Sequence, residues 1–282
     1  MKNFFILTKE DSESTRNFIS SVTEFIRENG GDACTGTLLR KASLEPLKVP
    51  ENTDCILTIG GDGTMIRAAM RTISAKVPIL GLNKGHIGYL CDLDDSNYKD
   101  ALLRLFDNDY EVEERMLLSG RVLSADGTPK SELRHALNDI VLTSRNGLQV
   151  VHLNIDVNGE RLSSFNGDGV IFATPTGSTA YNLSAGGPIV EPKTNLILMS
   201  PLNAHLVGQR SIVLDASAKV RATVTKRNQE ELKSAVAFDG SISIGLNDGD
   251  SVEIVRSNET VRFVRLAQIN FLDRIREKLQ AD

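Results

Sequence analysis

The residues best equipped for chemistry begin at Gly60-Gly61-Asp62-Gly63-Thr64. They lie between an apolar run, Cys55 to Ile59, and a helical pattern of Met65, Ile66, Ala69, Met70 and Ile73. This reads as strand, glycine loop and helix. Three glycines in four positions open backbone angles closed to other residues and let a ligand approach the main chain. Free N–H groups and the positive dipole end at the start of the following helix favour a phosphate there. Asp62 repels a phosphate, so its chemistry is different: it holds a metal ion or accepts a proton from a hydroxyl nucleophile. A plain turn and helix cap fits the same five residues.

A second concentration runs from Asn166-Gly167-Asp168-Gly169 through an apolar strand into Thr174-Pro175-Thr176-Gly177-Ser178-Thr179-Ala180-Tyr181-Asn182-Leu183-Ser184 and on to Pro188. Small hydroxylated residues and glycines at a strand exit offer closely spaced hydrogen bonds, and Tyr181 offers a flat face for an adenine. Asn138-Asp139 interrupts an otherwise apolar strand pattern and places an amide and a carboxylate near buried surface, where polar groups need partners. A carboxylate accepting two hydrogen bonds suits the vicinal hydroxyls of a ribose; a strand-end hydrogen bond is the alternative. The loop Asn83 to Tyr89 carries two glycines, a lysine and an aromatic, equipment for a phosphate or a planar ring, or for a wide strand-to-helix turn.

These residues need a frame. Phe4 to Thr8 reads as a strand, and Phe18, Ile19, Val22, Phe25 and Ile26 as the apolar stripe of a helix between Ser12 and Asn29. The Cys55 strand, the helix after the glycine loop, a strand over Val77 to Leu82 and a helix over Tyr98 to Phe106 continue the alternation. Alternation of this kind implies a parallel sheet with ligand-binding loops at the carboxyl ends of its strands. From Tyr110 the period changes to two, with strands expected at Met116 to Leu123, Ile140 to Thr143, Val150 to Val157 and Gly169 to Thr174. Asp126-Gly127 and Asn158-Gly159 match hairpin turns in which both central residues take positive φ. Further strands follow to Leu266, then a closing helix over Phe271 to Leu279. The expected architecture is an α/β N-terminal domain with a parallel sheet, residues 1–110 joined by 267–282, and a mainly antiparallel β domain over 111–266, with the last helix packed back on the first domain.

Composition narrows the function. A length of 282 residues, 40% of them apolar and 24% charged, describes a globular protein of one or two domains. A formal net charge of −5 argues against broad nucleic-acid or anionic-membrane binding. Three scattered cysteines and four scattered histidines suggest neither a disulfide framework nor a metal cluster. A charged stretch follows Leu7 too soon for a signal-peptide core or a membrane span, so a cytoplasmic protein is expected. Neither the Gly-x-x-x-x-Gly-Lys-Ser/Thr loop nor Gly-x-Gly-x-x-Gly occurs.

With these motifs in hand, the sequence resembles the NAD kinase family. The carriers are Gly60 to Thr64, Gly85-His86-Ile87-Gly88-Tyr89, Asn138-Asp139, and Asp168-Gly169 leading into Thr174-Pro175-Thr176-Gly177-Ser178-Thr179-Ala180-Tyr181. The resemblance implies transfer of a phosphoryl group from ATP to the 2′-hydroxyl on the adenosine ribose of NAD, giving NADP, with a divalent cation such as Mg²⁺. It makes Asp62 the general base beside Gly61, with Gly63 and Tyr89 lining the dinucleotide pocket. Asn138 and Asp139 would hold a ribose, and Thr179, Ala180, Tyr181 and Ser184 would surround the adenosine end. Asp168 would reach the nicotinamide side, from a neighbouring subunit of a homo-oligomer or from its own chain. Arg67 is a candidate phosphate contact or an ordinary helix arginine. Two departures stand out: Asp139 replaces the family's usual Glu, and Asn166 is neutral where a basic residue is common. The competing expectations are another glycine-aspartate-loop kinase, acting on a lipid or sugar, and a dinucleotide-binding regulatory protein without turnover.

Overall fold

A computed structural model describes residues 1–9, 12–38, 45–83, 88–91, 93–145, 150–204, 210–225, 234–266 and 271–279. The chain divides into two compact units, Met1–Glu114 with Thr260–Asp282, and Arg115–Glu259.

In the first unit, strand and helix alternate. Strand β1 (Asn3–Thr8) leads to helix α1 (Glu13–Glu28), β2 (Asp32–Thr37), β3 (Cys55–Ile59), α2 (Asp62–Thr72), β4 (Ile79–Leu82) and α3 (Tyr98–Phe106). The strands pair in parallel in the order β2-β1-β3-β4. Every residue of β3 and β4 is buried, as a strand covered on both faces requires; this is why these segments read as continuous apolar runs. Helix α1 starts at Ser12, whose hydroxyl accepts the Thr15 amide at 3.2 Å, satisfying one of the donors a helix start leaves open. Its stripe, Val22 and Ile26, meets Phe4, Ile6, Leu57, Leu80, Leu102 and Leu105 in one core. Between α1 and β3 lies a strand that the sequence pattern did not announce: β2 is an edge strand held by backbone pairing along β1, with no apolar alternation.

The second unit is built from antiparallel strands: β5 (Glu111–Leu123), β6 (Arg134–Ala136), β7 (Asp139–Ser144), β8 (Val151–Val157), β9 (Glu160–Gly167) and β10 (Gly169–Ala173). After the one-turn helix α4 (Tyr181–Ser184) come β11 (Leu196–Leu202), β12 (Ile212–Asp215), β13 (Val220–Val224), β14 (Ser234–Phe238), β15 (Ile242–Leu246) and β16 (Ser251–Arg265). Helix α5 (Phe271–Leu279) ends the described chain. One sheet runs β12-β11-β10-β7-β14-β15. Its Leu142, Phe172, Val236 and Phe238 pack against Ile155, Ala222, Val252 and Ile254 on β8, β13 and β16. On the opposite face of β10, Ile171 and Ala173 join Val141 and Leu198 of the adjacent strands, with Ala185 and Val190 packed against them, which explains the unbroken apolar Val170-Ile171-Phe172-Ala173. The chain crosses between the units within β5 and returns within β16.

The two hairpin expectations part company. Asn158 and Gly159 take φ of 53° and 88° and close a two-residue turn between β8 and β9. At the other turn only Gly127 has positive φ; Asp126 instead accepts the Thr128 amide at 2.9 Å with its side chain, so the turn is held by an aspartate rather than by a left-handed pair.

Candidate functional site

Strand β3 ends at Gly60, whose φ of +140° is open only to glycine, and a Cβ there would lie 2.5 Å from Thr64 Oγ1. Gly61 then caps α2 with extended backbone. The glycines divide the work: Gly60 makes the turn, whereas Gly63 is exposed and a Cβ on it would meet nothing within 4 Å. Arg67 lies one turn further along α2 and is half-buried.

Asp62 opens α2, but its carboxylate is turned across to the segment after β4. Oδ2 accepts the Tyr89 amide at 2.8 Å, and Oδ1 accepts the amides of Leu90 at 3.1 Å and Cys91 at 3.3 Å. A carboxylate has about four lone-pair sites. Three are filled here, and the remaining one belongs to Oδ2. Gly88 makes this approach possible, because a Cβ at that position would sit 2.0 Å from Asp62 Oδ1. Partial burial, with the nearby Asp62 charge, pushes the Tyr89 hydroxyl above its usual pKa. Residues 84–87, which carry Gly85-His86-Ile87 of the expected motif, lie outside the described residues.

In the second unit, Asn138 and Asp139 stand at the start of β7 beside the end of β10, with Asp139 paired to Ala173. They are gathered by a residue that sequence reasoning missed. Asp239, in the left-handed region at φ 46°, accepts the amides of Leu137, Asn138 and Asp139 at 2.8, 2.8 and 3.1 Å. Its amide in turn donates to the Asp139 carbonyl at 3.0 Å. Asp139 itself is only 6% exposed. Burial, helped by the Asp239 charge, pushes its carboxyl up to about 7; burial also raises Asp239 to about 6, against the pull of its three backbone donors. A signal for Asp239 was present, since Asp239-Gly240 directly after a strand repeats the Asp-Gly pair seen after strands at Asp168 and, two glycines later, at Asp62.

The Thr174 to Ser184 segment folds over this point. Thr174 donates its amide to Asn138 O at 2.9 Å and its hydroxyl to Leu137 O at 2.5 Å. A 3-10 turn over Thr176–Thr179 and helix α4 follow. Thr179 and Ala180 are half-buried, while Tyr181, 48% exposed, and Ser184 face outward. Asn182 is the hidden anchor: fully buried, it donates to the carbonyls of Ser178 and Pro188 and accepts the Ser200 hydroxyl at 2.6 Å. The structure therefore seats Thr174 and Gly177 against the Leu137-Asn138 backbone, and Thr179, Ala180, Tyr181 and Ser184 follow directly in the chain.

It does not bring Asn166 and Asp168 there. They precede β10, and six residues of strand at about 3.3 Å each put Asp168 about 20 Å from Thr174. Asp168 accepts Asn203 Nδ2 at 2.7 Å, and Asn166 Oδ1 meets His152 Nδ1 at 2.5 Å across the β8–β9 pair.

Among the described residues, no group of three or more His, Cys, Asp or Glu is placed to hold a metal ion, and no helix is long and apolar enough to cross a membrane. The three cysteines are free thiols.

A parallel α/β unit ending a strand in a glycine-aspartate loop, followed in the chain by an antiparallel β unit with a hydroxyl-rich turn, defines a class of nucleotide-dependent kinase. The profile of the ATP-NAD kinase N-terminal domain matches residues 41–110, and that of the ATP-NAD kinase C-terminal domain matches 137–266. The NAD kinase of Agathobacter rectalis is 36% identical over 284 residues, spanning 99% of each chain. That of Symbiobacterium thermophilum is 40% identical over 226 residues, 80% of this chain and 78% of its own. An NAD kinase from Archaeoglobus fulgidus, solved in complex with ATP, superposes with a TM-score of 0.72 at 26% identity and covers 93% of both chains. Yeast NADH kinase complexed with NADH shares the fold, with a TM-score of 0.85 at 24% identity over 100% of this chain and 88% of its own. The chain belongs to the ATP-NAD kinase family and is a phosphotransferase.

Proposed function

We propose that the protein transfers the γ-phosphoryl group of ATP to the 2′-hydroxyl of the adenosine ribose of NAD, giving NADP and ADP, with Asp62 as general base. The observation that carries this assignment is the Asp62 carboxylate, held by three backbone amides with one Oδ2 lone pair left to accept a hydroxyl proton. As the 2′-oxygen bonds to Pγ, its proton passes to Asp62 and the bond from Pγ to the ADP oxygen breaks. The start of α2, with Gly61 and the open Gly63, supplies amides and a dipole end suited to phosphate; Arg67 adds a cation on the same helix.

Asn138 and Asp139 bind a ribose, and Thr179, Ala180, Tyr181 and Ser184 take the adenosine, Tyr181 by stacking. Asp168 and Asn166 lie beyond the opposite end of β10, too far to join them, which supports a homo-oligomer in which a neighbouring copy supplies Asp168 to the nicotinamide end. A divalent cation such as Mg²⁺ fits this donor set as a companion of ATP, because Mg²⁺ is commonly held by substrate phosphates and water with one or two carboxylates. It would neutralise charge on the transferring group. Free thiols, Cys34 among them exposed, suit a cytoplasmic protein.

The purified protein given ATP, Mg²⁺ and NAD should form NADP, with NADH, diacylglycerol and fructose 6-phosphate as parallel acceptors. Phosphorylation of the lipid or sugar instead would transfer the assignment to another glycine-aspartate-loop kinase; NAD binding without turnover would make this a binding protein. A second expectation concerns Gly88. In Gly88→Ala the new methyl and the Asp62 carboxylate cannot occupy their present places, so kcat should fall at least about tenfold, as misplacement of a catalytic group does, and the melting temperature serves as the control for folding.

A further inference from the structure

The segment that holds Asp62 is itself held. Its residues 88–91 form no helix or strand, and an irregular loop fixes a carboxylate only if something fixes the loop. Arg265, at the last position of β16, donates from Nη1 to the Leu90 carbonyl at 3.2 Å. The same guanidinium donates from Nε to Glu113 Oε2 at 3.1 Å, and both side chains are only 13% exposed. The Leu90 residue thus faces two ways: its carbonyl takes Arg265 and its amide gives to Asp62 Oδ1 at 3.1 Å.

We propose that Arg265, oriented by Glu113, is a positioning residue that sets the direction of the Asp62 carboxylate through the Leu90 backbone, keeping the fourth lone pair on Oδ2 aimed outward. This rests on Asp62 being the base. A guanidinium suits the task because its planar fork contacts a carboxylate and a carbonyl at once and stays charged at every working pH. An ammonium in its place keeps the charge and loses the second direction. A catalytic group displaced by about 1 Å can cost on the order of 10² in rate, so a residue that never touches substrate can govern kcat.

The test is a double-mutant cycle read in steady-state kinetics. Arg265→Gln and Glu113→Gln should each lower kcat by about 10-fold to 100-fold while the KM values for NAD and ATP change little, and Arg265→Lys should recover part of the loss. In an Asp62→Asn background the base is absent, so adding Arg265→Gln should lower the residual rate less than about twofold. Equal losses in the two backgrounds, or KM rising in place of kcat falling, would overturn the positioning role and leave Arg265 a structural contact. Melting temperatures identify any variant that fails to fold; for such a variant Arg265→Lys, which keeps the charge, carries the comparison. If Asp62→Asn alone keeps near-normal turnover, it is the general-base reading that fails, and the two failures are distinguishable.

Discussion

Asp62→Asn is expected to lower kcat by on the order of 10² to 10⁴, the usual worth of a positioned general base, with the affinities for NAD and ATP within a few-fold of wild type. The asparagine Oδ1 can still accept the Leu90 and Cys91 amides. Its Nδ2, in the place of Oδ2, faces the Tyr89 amide, donor against donor. That local mismatch costs about 1–3 kcal/mol if the amide finds no other partner, so stability is measured beside activity. Calorimetric titration with NAD and single-turnover NADP formation separate binding from chemistry. Retained binding with lost turnover assigns the proton acceptor; turnover within about threefold of wild type removes Asp62 from that role, since no general base is worth so little.

What the sequence made legible follows the range of the interactions involved. The Gly60 to Thr64 loop is local: strand, turn glycine and helix start lie within a dozen residues, the strand as an unbroken apolar run and the helix with a clear 3.6-residue period. The support of Asp62 is not local. Its three donors come from residues 89–91 across β4, and the arginine behind them comes from β16. No pattern in the chain joins those segments, because a backbone amide has no sequence signature. Likewise Asp139 was legible as a polar interruption of an apolar strand, whereas its partner Asp239 lies 100 residues away. The dense run from Asn166 to Ser184 was legible as two polar loops with an apolar strand between them; β10 is that strand, fully buried, and its extended length of about 3.3 Å per residue holds the two polar ends apart. Strand β2 was missed because an edge strand pairs through its main chain and needs no apolar rhythm.

The Asp139–Asp239 pair leads to the second large expected effect, a loss of stability as pH rises. Both carboxyls are raised in the folded protein, Asp139 to about 7 and Asp239 to about 6, chiefly by burial. In the unfolded chain both titrate near the ordinary value of 3.8. Between that value and about 7 the folded state holds more protons than the unfolded state, so stability falls with rising pH, fully present below about 4 and lost through pH 6 to 7. At about 1.4 kcal/mol per pH unit, the Asp139 contribution is bounded near 4 kcal/mol, and accommodation of the charge reduces it. Other groups titrate nearby, among them His135, whose lowered pKa, caused by burial, acts in the opposite direction. The measurement is therefore a difference. Asp139→Asn should gain melting temperature relative to wild type as pH is raised from 5 to 8, by several degrees at about 2–4 °C per kcal/mol. An identical difference at both pH values would mean that Asp139 is ionised throughout. In the ribose-binding role proposed for Asp139, the same proton bears on recognition: a protonated carboxyl donates one hydrogen bond and accepts another, whereas a bare carboxylate only accepts. A ribose hydroxyl can meet either, so the KM for NAD should respond to pH across 6 to 8 in wild type and lose that response in Asp139→Asn.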